Sequence, residues 1–415
     1  MGATKTPVLR RAAAGESAYL AHTSHRAFRE GTEEGWEAYF REHPGVRDGE
    51  TVVAELDGHR VGNATALRLT MALAGRDVTM WGVAAVSVLP EHRRGGVAGA
   101  MMRELLGGLR ARGEALSLLH AFRPSYYRRF GYALCERSEQ LRARPSQFPS
   151  SELRAGVAEF VPARDLAVLR DLYDRSRAGR TGPLARDDWW WDARALRTAA
   201  EGVLFRDPET GVAEGYLLWR APESPGYPLR ELHVREMVAL TPRAHAGLLG
   251  HLAAQGDFYA MITVWGAPGS WLPWLVDQGV VDAPVAWLRH DPIAVAHMGM
   301  MGRLVDVAAA LRLHPSASAT ELDTAFGLDV DDPGCGDVQR VDVRLRPDTI
   351  ACEPGTSCEE RVEVGVAALA QLYLGAVDVA ALRACGALRG SERAARSLAR
   401  ACAGPPLALG ALDAF

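Results

Sequence analysis

Residues 86–102 read VSVLPEHRRGGVAGAMM, and the order of side-chain types in them decides how the surrounding chain folds. Val86, Ser87 and Val88 end a β-branched run that begins at MWGVAAV, so they close a strand. Pro90 lacks the N–H that a ladder needs and stops it. Arg93, Arg94, Gly95 and Gly96 then form a turn. After it Val97, Met101, Met102, Leu105, Leu106 and Leu109 recur at helical spacing, with Arg103, Glu104, Arg110 and Arg112 on the opposite face. A turn between a strand end and a helix start exposes N–H groups that lack intrahelical partners, at the positive end of the helix dipole. It suits an anion. Val97, Ala98 and Gly99 are small enough to let a pyrophosphate approach the backbone, and the arginines supply charge. The pattern G-K-[ST] is missing, as is G-x-G-x-x-G, so nucleotide hydrolysis and dinucleotide binding lose support.

Working outward, TVVAELD and Gly58 read as a strand and an Asp-Gly turn, and RVGNATALRLTMAL as the returning strand. Gly113 stops the amphipathic helix, ALSLLHAF is a short buried strand, and SYYRRFGY and SEQLRAR follow.

A chain of 415 residues predicts two to four domains. RPSQFPSS, residues 144–151, reads as a linker, after which EFVPARDLAVLRDLYDRSRAG opens a second unit that repeats the strand and helix order without the Arg-Gly turn. Alternating strands RVDVRLR, TIACEP and RVEVGV and the helical VAALAQLYLGA mark a third, α+β unit. The expected domains are residues 1–150, 151–295 and 296–415. The chain closes on the apolar LGALDAF, and WWW at residues 189–191 reads as packing inside the second unit.

With 48% hydrophobic and 24% charged residues, the composition supports large cores, and a net charge of −4 argues against nucleic acid. No run of about 18 apolar residues occurs and no signal core opens the chain, so a cytoplasmic location is expected. None of the six cysteines forms a C-x-x-C pair, and His22 with His25 is the one close histidine pair. Reduced thiols and no metal site are expected.

The strand, turn and helix, the following strand and the tyrosine-bearing segment together resemble the acetyl-CoA-binding core of the GNAT acetyltransferases. The series VLPEHRRGGVAGAMM, LLHAFRPSYYRRFGY, LYLGA at residues 372–376 and the terminal Phe is similar to the enhanced intracellular survival (Eis) family of N-acetyltransferases. That resemblance implies an α/β (α+β) chain with tandem GNAT-like domains followed by a sterol-carrier-like domain, acetyl-CoA as co-substrate for the first domain only, and hexamers. It implies that Val86, Ser87 and Val88 pair with the pantetheine arm, that residues 93–99 hold the pyrophosphate, and that Phe122 and Arg123 belong to the cofactor site. The family motif Y-x-R-F-G-Y falls on Tyr127, Arg129, Phe130, Gly131 and Tyr132, which makes Tyr127 the expected general acid. Glu136 and Glu139, close to that motif, are read as pointing outward. The family implies the base instead: the main-chain carboxylate of Phe415. Trp36 is expected to line the amine cavity, with Arg26 beside it where an acidic contact to a polycationic substrate is usual. The acceptor is then a primary amine, aminoglycoside-like, polyamine, other small-molecule or lysine. The competing readings are a non-catalytic acyl-CoA or lipid binder and a transferase dedicated to one secondary metabolite.

Overall fold

The computed structural model describes residues 6–199, 201–220, 230–266, 272–275, 294–315, 324–347 and 349–415. Its contacts divide the chain into two units: Met1–Glu136, Met300–Leu407 and Phe415 form one, and Arg137–Gly299 with Ala408–Ala414 the other.

The first unit begins β1 (Val8–Arg11), α1 (Ser17–Phe28), α2 (Glu33–Glu42), α3 (Pro44–Arg47), β2 (Glu50–Leu56), β3 (His59–Leu73), β4 (Arg76–Val88), α4 (Val97–Ala111), β5 (Leu116–Leu119), α5 (Pro124–Arg128) and β6 (Ala133–Leu134). Asp57 and Gly58, with φ of +51° and +76°, make the tight turn that the Asp-Gly pair predicts. Strand alternation sends Val52 and Ala54 to one face and Val53 to the other. The first face takes the apolar side of α4, and Leu20, Ala21 and Phe40 of α1 and α2 cover the second. Gly113, at φ +71°, follows the end of α4.

The second unit holds β7 (Arg137–Ala143), β8 (Val157–Glu159), α6 (Pro162–Ser176), α7 (Leu196–Thr198), β9 (Glu201–Arg206), β10 (Ala213–Arg220), β11 (Glu231–Ala239), α8 (Pro242–Ala253), β12 (Met261–Gly266), α9 (Leu272–Leu275) and β13 (Val295–Met298). Its sheet runs β13-β7-β12-β11-β10-β9-β8. The sequence assigns β7 to the end of the first domain, but it pairs with β12 and β13. Alternation tells a strand which face to bury, not which sheet to join. The expected linker is packed too: Phe148 is buried beside Leu248, and Ser151 Oγ accepts from Leu153 N–H.

The rest of the first unit is β14 (Met301–Leu304), α10 (Val307–Leu313), β15 (Thr324–Asp332), β16 (Asp337–Leu345), β17 (Ile350–Pro354), β18 (Arg361–Gly365), α11 (Val366–Tyr373), α12 (Val379–Ala384), β19 (Leu388–Gly390) and α13 (Glu392–Ala401). β14 belongs to the first sheet, lying between β5 and β6 in the order β1-β2-β3-β4-β5-β14-β6. Strands β15–β19 form a separate sheet, β17-β16-β15-β18-β19. Its inner positions, among them Phe326, Leu328, Val341 and Val343, are buried, as are Leu311, Leu369, Tyr373 and Leu398 of the helices.

Candidate active site

β4 and β5 run parallel but pair at two positions only, Trp81 with Ser117 and Gly82 with Leu118. β4 continues to Val88, so beyond Gly82 the strands open into a fork. A bulge accompanies the opening. Asn63 pairs with Ser87 and Thr65 with Ala84, which sets Ala85 and Val86 against the single residue between them on β3. Ala85 takes φ +49°, a left-handed conformation that costs a residue with a Cβ about 1–2 kcal/mol. Its carbonyl accepts twice, from Asn63 Nδ2 at 3.2 Å and Ser87 Oγ at 3.1 Å. Asn63 Nδ2 also donates to Ser24 Oγ at 3.3 Å, and the Ser24 and Ser87 hydroxyls lie 3.0 Å apart. These three side chains are wholly buried, so water does not compete for their bonds. The vertex is fixed similarly. Ser117 Oγ donates to the Trp81 carbonyl at 2.8 Å and lies 2.7 Å from the Tyr132 hydroxyl.

Val86 and Val88 are half-buried on the fork side of the bulge, and the turn after them leads straight into α4. Arg94 and Gly96 have φ of +63° and +85°, and no side chain caps the helix start. Its first N–H groups therefore keep their capacity for an anion. Arg94 and Gly96 are exposed there, with Gly95 and Ala98 half-buried and Val97 and Gly99 buried beneath. Arg93 has a different position from the one its charge suggests. It donates to the Ala27 carbonyl at 2.7 Å and the Val88 carbonyl at 3.4 Å, tying the turn to the end of α1. Arg26 makes a parallel tie, meeting both Glu91 oxygens at 3.1 and 3.3 Å. Two arginines that the sequence reading left out stand over the first turn: a Cβ on Gly99 would lie 3.4 Å from Arg129 and 3.6 Å from Arg103.

Tyr127 sits on α5, 4% exposed, in the core cluster that includes Trp81 and Tyr132. Burial, with Tyr126 and Tyr132 adding to it, holds its phenol well above the usual tyrosine range. Tyr126 is half-buried, and the Arg129 guanidinium lies 4.1 Å from its ring centre. Burial likewise pushes Tyr132 up to about 12, against the Ser117 hydrogen bond. The turn after Tyr127 is braced by Arg303 of β14. That buried guanidinium donates to the Phe130 carbonyl and pairs with buried Asp332 at 2.6 Å. Phe122 stands 72% exposed, its ring 5.9 Å from that of Tyr127, and Arg123 precedes α5 as an exposed residue. Glu136 corrects the alternation argument: it is buried and accepts from Met300 N–H at 2.9 Å.

The last residue reaches the fork. A Cβ on Gly82 would lie 2.5 Å from Phe415 Cε2 and 2.9 Å from Cδ2 and Cζ, so the ring rests on a spot that only glycine leaves free. Trp36, on α2, packs against the cluster of Leu20, Ala21, Phe40, Val53 and the bulge residue Ala85. Its ring stacks on Phe28 at 5.4 Å and Phe40 at 6.1 Å, while Nε1 donates to the Glu30 carbonyl at 2.9 Å. The six cysteines are free thiols, and among the described residues no group of three or more His, Cys, Asp or Glu is placed to hold a metal.

In the second unit, β11 and α8 repeat the strand and helix order, but the helix start is filled. Pro242 takes the first helical position, and Thr241 Oγ1 accepts from Ala244 N–H at 3.1 Å. The same hydroxyl donates to Glu214 at 2.6 Å, which sets a carboxylate where an anion would have to bind.

Known proteins share this layout. Residues 8–135 match a family described as an acetyltransferase (GNAT) domain, residues 182–304 a second family so described, and residues 307–408 the sterol carrier protein domain. An uncharacterized N-acetyltransferase of Streptomyces avermitilis is 34% identical over 221 residues, 49% of this chain and 51% of its own, so that match spans about half of the relative. The N-acetyltransferase Eis of Mycobacterium bovis is 29% identical over 356 residues, 83% of this chain and 82% of its own. The crystal structure of Eis1 from Mycobacterium abscessus shares the fold with a TM-score of 0.72 at 24% identity, covering 98% of this chain and 99% of that one. With two GNAT acetyltransferase domains, a sterol carrier protein domain and N-acetyltransferase Eis relatives aligned along most of its length, this chain is an acyl-CoA-dependent N-acetyltransferase similar to Eis.

Proposed function

We propose that the acetyl group passes from acetyl-CoA to a primary amine in the fork between β4 and β5, by direct attack, with Tyr127 as general acid and the main-chain carboxylate of Phe415 as general base. The observation that carries this reading is the seat of the Phe415 ring on Gly82, at the point where the strands part. The uncapped start of α4 fits a pyrophosphate, with Arg94, Arg103 and Arg129 as cations, and the free edge of Val86–Val88 fits the amides of the pantetheine arm as an added strand.

In the reaction the amine nitrogen attacks the thioester carbon and loses a proton to the carboxylate. The C–S bond then breaks, and the departing sulfur takes the Tyr127 proton. A carboxylate beside the acceptor also attracts its ammonium form before deprotonation. Exposed Glu30, Glu33 and Glu34 near Trp36 favour a cationic acceptor, whether aminoglycoside-like, polyamine, other small molecule or lysine. The hexamer implied by the family resemblance and the cytoplasmic location expected from the sequence belong to the same proposal, and light scattering that returns a monomer mass refutes the hexamer.

Extending the chain beyond Phe415 by a few residues moves the carboxylate without changing a side chain. Thiol release from acetyl-CoA, measured across a panel of such amines, should fall at least tenfold in the extended protein. Equal turnover would remove the carboxylate from the mechanism, and silence of the unextended protein across the panel would favour a binder.

A further inference from the structure

Residues 412–414 are each held by hydrogen bonds from residues 173–194. Trp190 Nε1 donates to the Leu412 carbonyl at 2.9 Å, and Arg194 donates to that of Ala414. Asp413, 1% exposed, accepts from Arg186 Nε at 2.7 Å, Tyr173 Oη at 2.8 Å and Leu184 N–H at 3.2 Å. The Arg186 side chain is itself fully buried. It meets both Glu236 oxygens, at 2.6 and 3.0 Å, and its guanidinium lies 3.8 Å from the Tyr173 ring centre and 4.8 Å from that of Trp191. Tyr216 Oη completes the set by donating to Glu236 at 2.7 Å.

An apolar tail docked only for stability needs a pocket such as the one Leu412 occupies in the core of Tyr173, Trp191 and Tyr216. It has no use for a buried arginine between two carboxylates. Burying charges is costly, and a hydrophobic replacement often serves stability as well or better; what a buried pair supplies is one fixed register. Here the side-chain bonds from Tyr173, Arg186, Trp190 and Arg194 fall on three consecutive residues, and they stop one peptide bond short of Phe415. Consecutive Cα atoms are about 3.8 Å apart, so fixing Ala414 confines the terminal residue to a small sphere. The π-helical turn Trp190–Ala195 carries two of the donors, Trp190 and Arg194.

We infer that Arg186, Asp413 and Trp190 are positioning residues that clamp the end of the chain, and that holding the tail is the work of the GNAT-like unit whose own helix start is filled. The inference rests on the proposed role of the Phe415 carboxylate for its catalytic consequence, though not for the clamp itself.

Carboxypeptidase A releases a C-terminal aromatic residue only from a free tail. Phe release should be slow from the unaltered protein, and at least tenfold faster from Asp413→Asn and Trp190→Phe. The second variant keeps an aromatic ring in place while losing the indole N–H, and so guards against a misfolded first. In both, kcat for acetyl transfer should fall at least tenfold with KM for acetyl-CoA unchanged. Thr241→Ala, a helix cap in the same unit, is the control for general destabilisation and should leave release slow. Release no faster in either variant than in the control overturns the clamp. Fast release with undiminished kcat upholds the clamp and refutes the carboxylate as base.

Discussion

Gly82 is where one missing methyl group admits the end of the chain. Gly82→Ala would put a Cβ 2.5 Å from the Phe415 ring and must displace it, so we expect kcat to fall at least tenfold with little change in KM for acetyl-CoA or in melting temperature. A glycine inside a strand is a recognised sign of close approach, so this contact was open to reading from the sequence. What approaches it was not, because the partner lies at the far end of the chain. Tyr127 can be singled out from the sequence for the opposite reason, since the motif that carries it is local. Its burial adds a pH signature: a phenol held above the usual 10 keeps its proton throughout the neutral and mildly alkaline range. The kcat profile should therefore show no alkaline fall below about pH 10. A descending limb near pH 8 would remove Tyr127 as the acid, as would undiminished turnover in Tyr127→Phe. Arg93 and Arg26 show the limit of charge reasoning. Sequence sets Arg93 at the anion turn and Arg26 beside the amine cavity, but backbone carbonyls claim the first and Glu91 the second.

At the scale of elements, the strand, turn and helix of residues 86–102 folds as its pattern dictates, because each signal in it is local. The bulge was not visible. It depends on Ser24 and Asn63, remote in sequence from Ala85 and brought to it only by the packing of α1 on the sheet and by the pairing of β3 with β4. Asn63→Leu would leave the Ala85 carbonyl with one donor in place of two, and we expect a loss of about 1–3 kcal/mol in denaturant unfolding. A relaxed bulge also misaligns the edge offered to the pantetheine amides, so KM for acetyl-CoA should rise severalfold. An unchanged KM would show that the fork is set by its vertex, Ser117 and Tyr132, alone. The filled start of α8 is the reverse lesson: a Thr-Pro pair is a sound signal for a helix start, and the same two residues close that start to an anion.

For the molecule as a whole, the architecture was legible as to its kinds of domain and blurred at their edges. Strand β7 and the stretch from Pro145 to Ser151 pack with the second unit, and β14 packs in the first sheet, since pairing partners are a property of the assembled sheet rather than of a strand's own pattern. A fragment ending at residue 299 therefore lacks the strand that joins β5 to β6. We expect it to collect in the insoluble fraction, or to show amide exchange in β5 and β6 at least a hundredfold faster than in the full chain; slow exchange in a soluble fragment would contradict this. The position of β14 also has a consequence for biosynthesis. At roughly 5–20 residues per second, the ribosome needs on the order of ten seconds or more after completing β6 before Met301–Leu304 emerge. Throughout that interval the nascent chain carries two unsatisfied strand edges, and its yield in the cell should depend on a chaperone that shields them.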